Sequence, residues 1–351
     1  MAVRFDVPLA SWTTIRLGGP ASRFADASSE DDLVELIEGA RKSGDPVFIL
    51  GGGSNVVVAD AGFAGMVIHM ASRGIEVRAD ADRVLVDVAA GEPLDGLVER
   101  AVAEGWSGLE CLSGIPGLVG ATPIQNVGAY GQEVADTIVD VRAFDRTARR
   151  FVHLAPSDCR FGYRTSVFRG NARYVVTRVR FGLARSDGSR PVRYAELARA
   201  LGIDPGAIAP LSRVRDAVIE LRRAKGMVWD PGDPETVSAG SFFVNPVLSP
   251  AERDELEARL RDEGVLADGA TMPGFASAGG WKVPAAWLIE RAGFPRGSTR
   301  GRVGVSARHA LALVNRGGTT RELLELEAEI RAVVFRRFGV RLEREPILVG
   351  P

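Results

Sequence analysis

The chain has 351 residues, and its 44 lysine and arginine side chains nearly balance its 45 aspartate and glutamate side chains, for a formal net charge of −1 at pH 7. This length predicts two or three domains with a sizeable core. The balanced charge, without a basic stripe, argues against nucleic acid as a partner. The sequence contains no apolar run as long as a membrane span, and its first residues lack the apolar region of a signal peptide. We therefore expect a cytoplasmic protein without membrane insertion.

Cysteine and histidine are too few and too scattered to indicate a disulfide framework or a metal site. The cysteines are Cys111 and Cys159, and the three histidines, His69, His153 and His309, each stand alone. Metal sites and histidine-based catalytic triads need clustered partners. We therefore expect no bound metal.

The first part of the chain predicts alternating helix and strand. Residues 29–43 have acidic residues at the start, basic residues at the end and regularly spaced apolar residues, which predicts an amphipathic helix. The apolar run Val47–Leu50 predicts a buried strand, and the sequence GGGSN follows it at 51–55. Three glycines after a strand indicate close approach of the backbone to another group. They do not form the GxGxxG dinucleotide-binding fingerprint, because Val56 stands where the third glycine belongs.

Further elements are predicted along the rest of the chain. Strands are expected at residues 66–70, 75–79, 84–89, 139–144, 150–154, 174–183, 240–246, 311–314 and 341–350. Helices are expected at residues 93–103, 210–224, 250–263, 282–292 and 319–338. Residues 229–236, WDPGDPET, read as a loop and a domain boundary.

The chain reads as organised around SGIPGLVGATPIQNVGAYG, residues 113–131, here named the glycine segment. It contains five glycines and two prolines and no charged residue. Such a run is expected to leave many backbone N–H groups free, and phosphate oxygens are good partners for them. The alternative is a buried turn between core strands, and spacing alone does not decide between the two.

A second polar segment is RFGYRTSVF, residues 160–168. Its arginines offer planar forks of donors, which suit anion recognition. A solvated loop is the other interpretation of the same composition.

Seven motifs together resemble one family. They occur in a single order from Thr13 to Gly350 and are TTIRLGGPA (13–21), ILGGGSNVVV (49–58), GIPGLVGATPIQNVGAYG (114–131), RFGYRTSVF (160–168), RRAKG (222–226), AGSFFVNP (239–246) and LEREPILVG (342–350). In this order they closely resemble the UDP-N-acetylenolpyruvoylglucosamine reductase (MurB) family. The insert PVRYAELARAL at 191–201 is similar to the tyrosine loop of the family's first type, with Tyr194 as the tyrosine.

The resemblance implies an α+β protein. It implies an FAD-binding fold of the vanillyl-alcohol-oxidase type in two α/β subdomains, with a smaller C-terminal α+β substrate-binding domain. The implied bounds are residues 1–74 with 341–351 for the first subdomain, 75–227 for the second and 228–340 for the substrate-binding domain.

The resemblance also implies a reaction. The family reduces UDP-N-acetyl-3-O-(1-carboxyvinyl)glucosamine to UDP-N-acetylmuramate in peptidoglycan synthesis. NADPH supplies the electrons through non-covalent FAD. The implied partners of this chain are therefore the UDP-sugar and NADPH, and we expect a monomer.

The family's site residues transfer to matching positions. Arg164 matches the arginine that stabilises developing negative charge, Ser241 the proton donor and Glu345 the glutamate that assists both. The expected FAD-binding residues are Arg16, Gly51, Gly52, Gly53, Ser54, Asn55, Ser113, Gly114, Ile115, Gly117, Gly120, Ala121, Thr122, Gln125, Asn126, Gly128, Ala129 and Tyr130. The expected substrate-binding residues are Tyr163, Tyr194, Arg222, Lys225 and Asn245. The sequence departs from the family pattern at Val244, where many members have lysine, so the surroundings of Ser241 lack that ammonium group.

Two other functions stay open from the sequence. One is an FAD-dependent oxidase of sugars or alcohols on the same fold. Such oxidases often attach flavin covalently through a histidine near the diphosphate loop, where this chain has Asn55. The other is a nucleotide-binding protein without catalysis.

Overall fold

A computed structural model of the chain describes residues 2–80, 82–267, 269–277 and 279–350. The chain forms two compact units. The larger unit contains the N-terminal residues up to Val7 together with Ala21–Gly53 and Ala64–Val228. The smaller unit contains Pro8–Pro20, Ser54–Phe63 and the chain from Trp229 onward. The three-part division expected from the family stays a prediction.

Eight α-helices lie in the described part of the chain. They are α1 Glu30–Ser43, α2 Leu94–Ala103, α3 Pro156–Cys159, α4 Ala195–Leu201, α5 Leu211–Ala224, α6 Pro250–Asp262, α7 Ala285–Arg291 and α8 Thr320–Phe338. Every helix predicted from the sequence is present, with ends that differ by up to three residues. The short helices α3 and α4 lie outside the predicted ones.

Local signals explain why the predicted helices begin and end where they do. The Oγ of Ser29 accepts a hydrogen bond from Asp32 N (3.1 Å) at the start of α1, which satisfies one of the free N–H groups of a first turn. Gly44 ends the helix in the left-handed conformation with φ +73°, a conformation that glycine adopts without strain.

The strands of the described chain are mostly short. They are β1 Arg4–Pro8, β2 Pro20–Ala27, β3 Val47–Leu50, β4 Val56–Val58, β5 Phe63–Met70, β6 Ile75–Asp80, β7 Arg83–Ala89, β8 Trp106–Ser107, β9 Gly128–Ala129, β10 Gln132–Glu133, β11 Ile138–Asp145, β12 Arg150–Leu154, β13 Tyr174–Arg185, β14 Ser238–Ser241, β15 Val247–Leu248, β16 Phe275–Ser277, β17 Gly280–Lys282, β18 Thr299–Arg300, β19 Val303–Val305, β20 Ala312–Asn315 and β21 Ile347–Val349.

The larger unit is built on two main sheets. One has the strand order β1-β2-β5-β3, with β3 parallel to β5, and α1 covers it with an apolar face. The other is antiparallel, with the order β12-β11-β13-β7-β6, and β8 pairs with β13. Val84, Val86 and Val88 alternate along β7 and are all buried, as expected where one face of a sheet meets the core. Helices α4 and α5 share a smaller apolar cluster.

The smaller unit has its own core. Its sheets have the orders β14-β20-β19-β18 and β15-β17-β16, and β21 lies parallel to β4. Phe242, Phe243 and Phe338 are fully buried there, together with apolar residues of α7 and α8. No helix in the described residues is long and apolar enough to cross a bilayer.

Two predicted strands are wrong in extent. The strand expected at residues 240–246 ends at Ser241 as β14, and the following backbone bonds instead to the distant C-terminal segment. Glu345 N donates to Phe242 O (3.0 Å), and Val244 N donates to Glu343 O (2.9 Å). The strand expected at residues 341–350 is reduced to β21, which begins after Pro346, because proline has no N–H to give to a ladder.

The glycine segment lies with its backbone directly against the connection from β7 to α2. Val119 N donates to Glu92 O (2.8 Å), and Gly120 N donates to Ala90 O (2.9 Å). A Cβ at Gly120 would overlap Ala90, so glycine is required for this approach.

This packing corrects the expectation that the segment leaves many N–H groups free. Much of its backbone already donates to acceptors in the protein. The donating residues are Gly114, Ile115, Val119, Gly120, Ala121, Thr122, Ile124, Asn126 and Val127. Gly120 and Gly128 therefore serve close packing against neighbouring backbone, as in the buried-turn interpretation.

The GGGSN turn approaches the same segment. A Cβ at Gly52 would lie 2.8 Å from the Cα of Gly117, whereas a Cβ at Gly51 would lie 3.7 Å from its nearest neighbour, the Cβ of Ala121. The first distance is too short for any real side chain, and the second is an ordinary van der Waals contact.

We therefore predict that Gly52→Ala destabilises the flavin-free protein by about 1–3 kcal/mol, the usual effect of overpacking. Gly51→Ala is the matched control and is expected to change the free energy of unfolding by less than about 0.5 kcal/mol. Urea unfolding of both variants measures the difference. Equal losses in the two variants would contradict the steric explanation.

A buried carboxylate closes the turn between β11 and β12. Asp145 is 2% exposed, and its Oδ2 accepts hydrogen bonds from Arg173 Nε (2.9 Å) and Nη2 (2.6 Å). Its Oδ1 accepts from Thr147 N and Ala148 N, both at 2.9 Å. The bonds from Arg173 lower the pKa of Asp145 to about 2. Because this pKa is below the unfolded value, the stabilisation is present at neutral pH and is lost as the pH falls from about 4 to about 2.

We predict that Asp145→Asn lowers the free energy of unfolding at pH 7 by about 2 kcal/mol, because hydrogen bonds to a charged group are lost. The difference from the parent protein shrinks as the pH approaches 2. Urea unfolding at pH 7 and at pH 3 measures it, with exposed Asp204→Asn as control. A loss that does not depend on pH would refute the electrostatic origin.

Candidate active site

Arg164 lies in a tight turn of the larger unit. Gly162 and Thr165 form two backbone hydrogen bonds, of 3.1 and 3.2 Å, so that Tyr163 and Arg164 occupy the two turn positions. Arg164 has φ +52°, a left-handed backbone conformation that is costly for a residue other than glycine. Its Nη2 donates to Gly128 O (2.9 Å), and its guanidinium stacks over the ring of Tyr163. The turn thus aims Arg164 at the glycine segment.

Two side chains fasten this turn to the glycine segment. Asn126 Nδ2 donates to Gly162 O (3.2 Å) and to Glu133 Oε2 (2.7 Å). Ser166 Oγ donates to Ile124 O (2.7 Å). Arg164 is therefore held from both sides by the segment predicted to hold the cofactor.

Arg222, near the end of α5, is a half-buried cation whose Nε is fully buried. Its Nη2 donates to Met227 O (2.7 Å), while no described residue accepts a hydrogen bond from its Nε. That Nε is 3.6 Å from the position that a Cβ on Gly114 would occupy. Burial lowers the pKa of Arg222 to about 10, so it stays charged at neutral pH. A buried N–H without an acceptor is costly and marks a place where an anion would be stabilised.

Lys225, Tyr130 and Tyr194 lie together beside it. Lys225 Nζ is 5.6 Å from the centroid of the Tyr130 ring, and the ring of Tyr130 meets that of Tyr194 edge-on at 5.4 Å. Burial raises the pKa of Tyr130 to about 12, and burial also raises that of Tyr194. Both phenols are therefore neutral hydrogen-bond donors at pH 7.

An acid that the sequence does not single out holds the start of the glycine segment. Asp95 Oδ1 accepts from Gly114 N (2.7 Å) and from Arg215 Nη1 (2.7 Å). Burial alone raises the pKa of Asp95, but the hydrogen bonds from Arg215 and Gly114 outweigh it and keep the pKa below its ordinary value. An acid in a first helical turn usually interacts with the helix dipole alone, so the sequence gives no signal for this role.

The predicted proton donor and glutamate are neighbours in the smaller unit. Ser241 ends β14 opposite Ala312 of β20. The carbonyl of the next residue, Phe242, accepts a hydrogen bond from Glu345 N, and Phe243 forms an antiparallel β-bridge with Arg344. The buried rings of Phe242 and Phe243 anchor this strand in the core.

Three other predicted residues of the smaller unit have defined partners. Asn245 Oδ1 accepts from Ala285 N (2.9 Å) at the start of α7. Asn55 O accepts from Ile347 N (3.0 Å), and Asn55 Nδ2 donates to Glu345 O (3.4 Å). Arg16 has φ +54°, and its carbonyl accepts from Asn315 Nδ2 (3.2 Å).

The structure thus brings the predicted residues together in two groups. The group in the larger unit comprises Gly51, Gly52, Gly53, the predicted residues of the glycine segment, Tyr163, Arg164, Tyr194, Arg222 and Lys225. The group in the smaller unit comprises Arg16, Ser54, Asn55, Ser241, Asn245 and Glu345.

The first group has chemistry that fits a dinucleotide such as FAD. The Nε of Arg222, for which no described residue is an acceptor, suits an anionic oxygen, and it lies beside Gly114 at the start of the glycine segment. Guanidinium donors of this kind are typical of phosphate sites.

Comparisons with protein-family models match both parts of the chain. A model described as an FAD binding domain matches residues 21–151, which include the GGGSN turn and the glycine segment. A model described as the C-terminal domain of UDP-N-acetylenolpyruvoylglucosamine reductase matches residues 233–349, which include Ser241 and Glu345. The predicted fold class, a flavin-binding fold followed by a C-terminal α+β domain, is confirmed.

Similar proteins cover the whole chain. The UDP-N-acetylenolpyruvoylglucosamine reductase of Thermobifida fusca is 54% identical over 348 residues, which are 98% of this chain and 97% of that protein. That of Salinispora arenicola is 51% identical over 347 residues, 97% of this chain and 94% of that protein. A crystal structure of the reductase from Thermus caldophilus has a TM-score of 0.66 at 27% identity and covers 100% of both chains. At this identity and coverage, the chain belongs to the UDP-N-acetylenolpyruvoylglucosamine reductase family, a family of flavin-dependent oxidoreductases.

Proposed function

We propose that this protein reduces the enolpyruvyl ether of UDP-N-acetylglucosamine to the lactyl ether, giving UDP-N-acetylmuramate for peptidoglycan synthesis, with NADPH as electron donor. The observation that carries the proposal is the 54% identity, over 98% of the chain, to a protein named UDP-N-acetylenolpyruvoylglucosamine reductase. We further propose that it works as a cytoplasmic monomer.

FAD is the proposed cofactor. When bound, it relays hydride from NADPH to the substrate. The residues proposed to hold it are those of the GGGSN turn and the glycine segment, with Arg16 as a further contact. The proposal is supported by the match of residues 21–151 to an FAD binding domain and by the buried Nε of Arg222, for which no described residue is an acceptor.

Reduction of the enolpyruvyl group creates two needs that protein side chains would meet. Hydride added to the terminal carbon leaves negative charge on the next carbon and on its carboxylate, so a cation should stand where that charge develops. Arg164 is proposed for this role, supported by the strained turn and the bond to Gly128 O that fix its guanidinium.

The second need is a proton for the carbon that carries the negative charge. A hydroxyl is a weak acid, but a carbanion-like centre is a strong base, so a positioned serine suffices. Ser241 is proposed as the donor and Glu345 as the residue that assists it. Support comes from the hydrogen bond between Glu345 N and Phe242 O, which holds the two segments in register.

Binding of the substrate's carboxylate, sugar and diphosphate, or of the NADPH phosphate, is proposed for Tyr163, Tyr194, Arg222, Lys225 and Asn245. Arg222 and Lys225 would supply the charge, and the neutral phenols of Tyr130 and Tyr194 additional donors. The Oδ1 of Asn245 already accepts from Ala285 N at the start of α7, so its Nδ2 is the group proposed to donate to a ligand.

The visible spectrum of the purified protein under anaerobic conditions tests the proposed function. We expect a yellow protein that bleaches when NADPH is added and regains its colour when the enolpyruvyl UDP-sugar follows. A yellow protein that ignores NADPH, but reacts with an alcohol and oxygen, would be an oxidase instead.

We predict that Ser241→Ala leaves the rate of bleaching by NADPH unchanged and slows the return of colour by about 10²–10⁴-fold, the usual contribution of a general acid. Stopped-flow absorbance measures both phases separately. Ser241→Cys keeps a proton donor at the same place and is expected to retain more of the second phase. Comparable losses in both phases would show that Ser241 is not the proton donor.

A further inference from the structure

The ammonium group of Lys225 forms an ion pair with Glu196. Its Nζ is 2.6 Å from Oε2 of Glu196, which lies in the first turn of α4, two residues after Tyr194. Lys225 follows the last turn of α5 as its C-cap. The lysine proposed to bind a ligand phosphate therefore already has an anionic partner within the protein.

The charges around this pair are unequal. Arg222 and Lys225 carry two positive charges, and Glu196 supplies the carboxylate in direct contact with one of them. Tyr130 and Tyr194, which share the cluster, add no charge at pH 7, because phenols ordinarily ionise only near pH 10 and desolvation raises both pKa values further. The Asp95 carboxylate also attracts the Arg222 guanidinium electrostatically, but it accepts hydrogen bonds from Arg215 and Gly114. Removing the Glu196 carboxylate from Lys225 would leave two cations for an incoming anion.

The pair can open without disturbing the fold. The side chains of Lys225 and Glu196 are 30% and 36% exposed, and ion pairs with this degree of exposure contribute little to stability. Helix α4 is held independently, because Leu197 and Leu201 are buried in the cluster with Val214 and Val218 of α5. A rotation of the Glu196 side chain alone would release the ammonium group.

We propose that Glu196 is the internal counter-ion of Lys225, and that the phosphate of a nucleotide ligand displaces it on binding. Glu196 thereby sets the affinity of the site for anions: a strongly charged phosphate competes successfully with the carboxylate, whereas weakly charged ligands do not. The inference rests on the proposed phosphate-binding role of Lys225. The phosphate belongs either to the UDP-sugar or to NADPH, and the experiment distinguishes them.

The test is isothermal titration calorimetry of the flavin-loaded protein with three probes. UDP stands for the substrate diphosphate, adenosine 2′,5′-bisphosphate for the NADPH phosphate, and uridine is an uncharged ligand. We expect Glu196→Gln to lower Kd about fivefold for the displacing phosphate, the scale of one exposed ion pair. The affinity for uridine stays unchanged. Lys225→Met weakens the same probe, and adding Glu196→Gln to Lys225→Met has no further effect. Glu220→Gln on α5 is the matched control for loss of a carboxylate.

The outcomes separate the inference from the function on which it rests. If Lys225→Met leaves both charged probes unaffected, Lys225 does not bind phosphate and the proposed role fails with the inference. If Lys225→Met weakens binding, while Glu196→Gln and Glu196→Ala leave it unchanged or weaken it, the counter-ion role of Glu196 is overturned and that of Lys225 stands. A gain of affinity in Glu196→Gln that persists without Lys225 also overturns it.

Discussion

Contact of backbone on backbone at the glycine segment is the constraint on which the larger unit's part of the site depends. Gly120 rests on Ala90 and Gly117 rests on Gly52, with no room for a Cβ at Gly52 or Gly120. Once the segment is fixed in this way, its carbonyls and its Asn126 side chain become rigid anchors. The turn that carries Arg164 is fastened to those anchors, at Ile124 O, Gly128 O and the Asn126 amide. An arginine with the role proposed for Arg164 gains from such support, because its guanidinium must already be in place when charge develops.

In the smaller unit, the predicted site residues are held in place by backbone pairing between segments that are distant in the chain. The residues after Ser241 bond to the backbone around Glu345, about a hundred residues further along the chain. Asn55 adds a hydrogen bond to Glu345 O, and Asn315 reaches back to the carbonyls of Ile15 and Arg16. In this arrangement Val244 gives its N–H to Glu343 O, so the backbone at the position of the departure from the family pattern still helps to hold the C-terminal segment.

Features set by interactions between residues close in the chain could be predicted from the sequence, whereas features set by distant residues could not. The ends of α1 follow from Ser29 and Gly44, because a cap lies within a few residues of the helix it ends. The extent of the strand after Gly240 and the acceptors for Val119 N and Gly120 N do not, because the partners, such as Glu343 O and Ala90 O, are far away in the chain. The same reason explains why Asp95 and Glu196 escape notice: each looks like an ordinary acid in a first helical turn, and only the fold reveals Gly114 and Lys225 beside them.

Several residues with a strained backbone lie at positions that the motifs connect with the site, and this strain is observed independently of the family resemblance. Among the described residues other than glycine, positive φ occurs at Asp6, Arg16, Asn126, Tyr130, Arg149, Arg160 and Arg164. This conformation costs an arginine or a tyrosine about 1 kcal/mol or more, whereas asparagine and aspartate adopt it more readily. It persists only where the surroundings impose it. Arg149 closes a hairpin and Arg160 ends α3, which are ordinary turn positions, and Asp6 lies in β1, outside the predicted site. Arg16, Asn126, Tyr130 and Arg164, in contrast, are all residues that the motifs already connect with flavin binding or catalysis. At Arg16, Asn126 and Arg164 the fold maintains this conformation by hydrogen bonds to Arg16 O, the Asn126 amide and the Arg164 turn, as preorganisation of a binding and catalytic site requires.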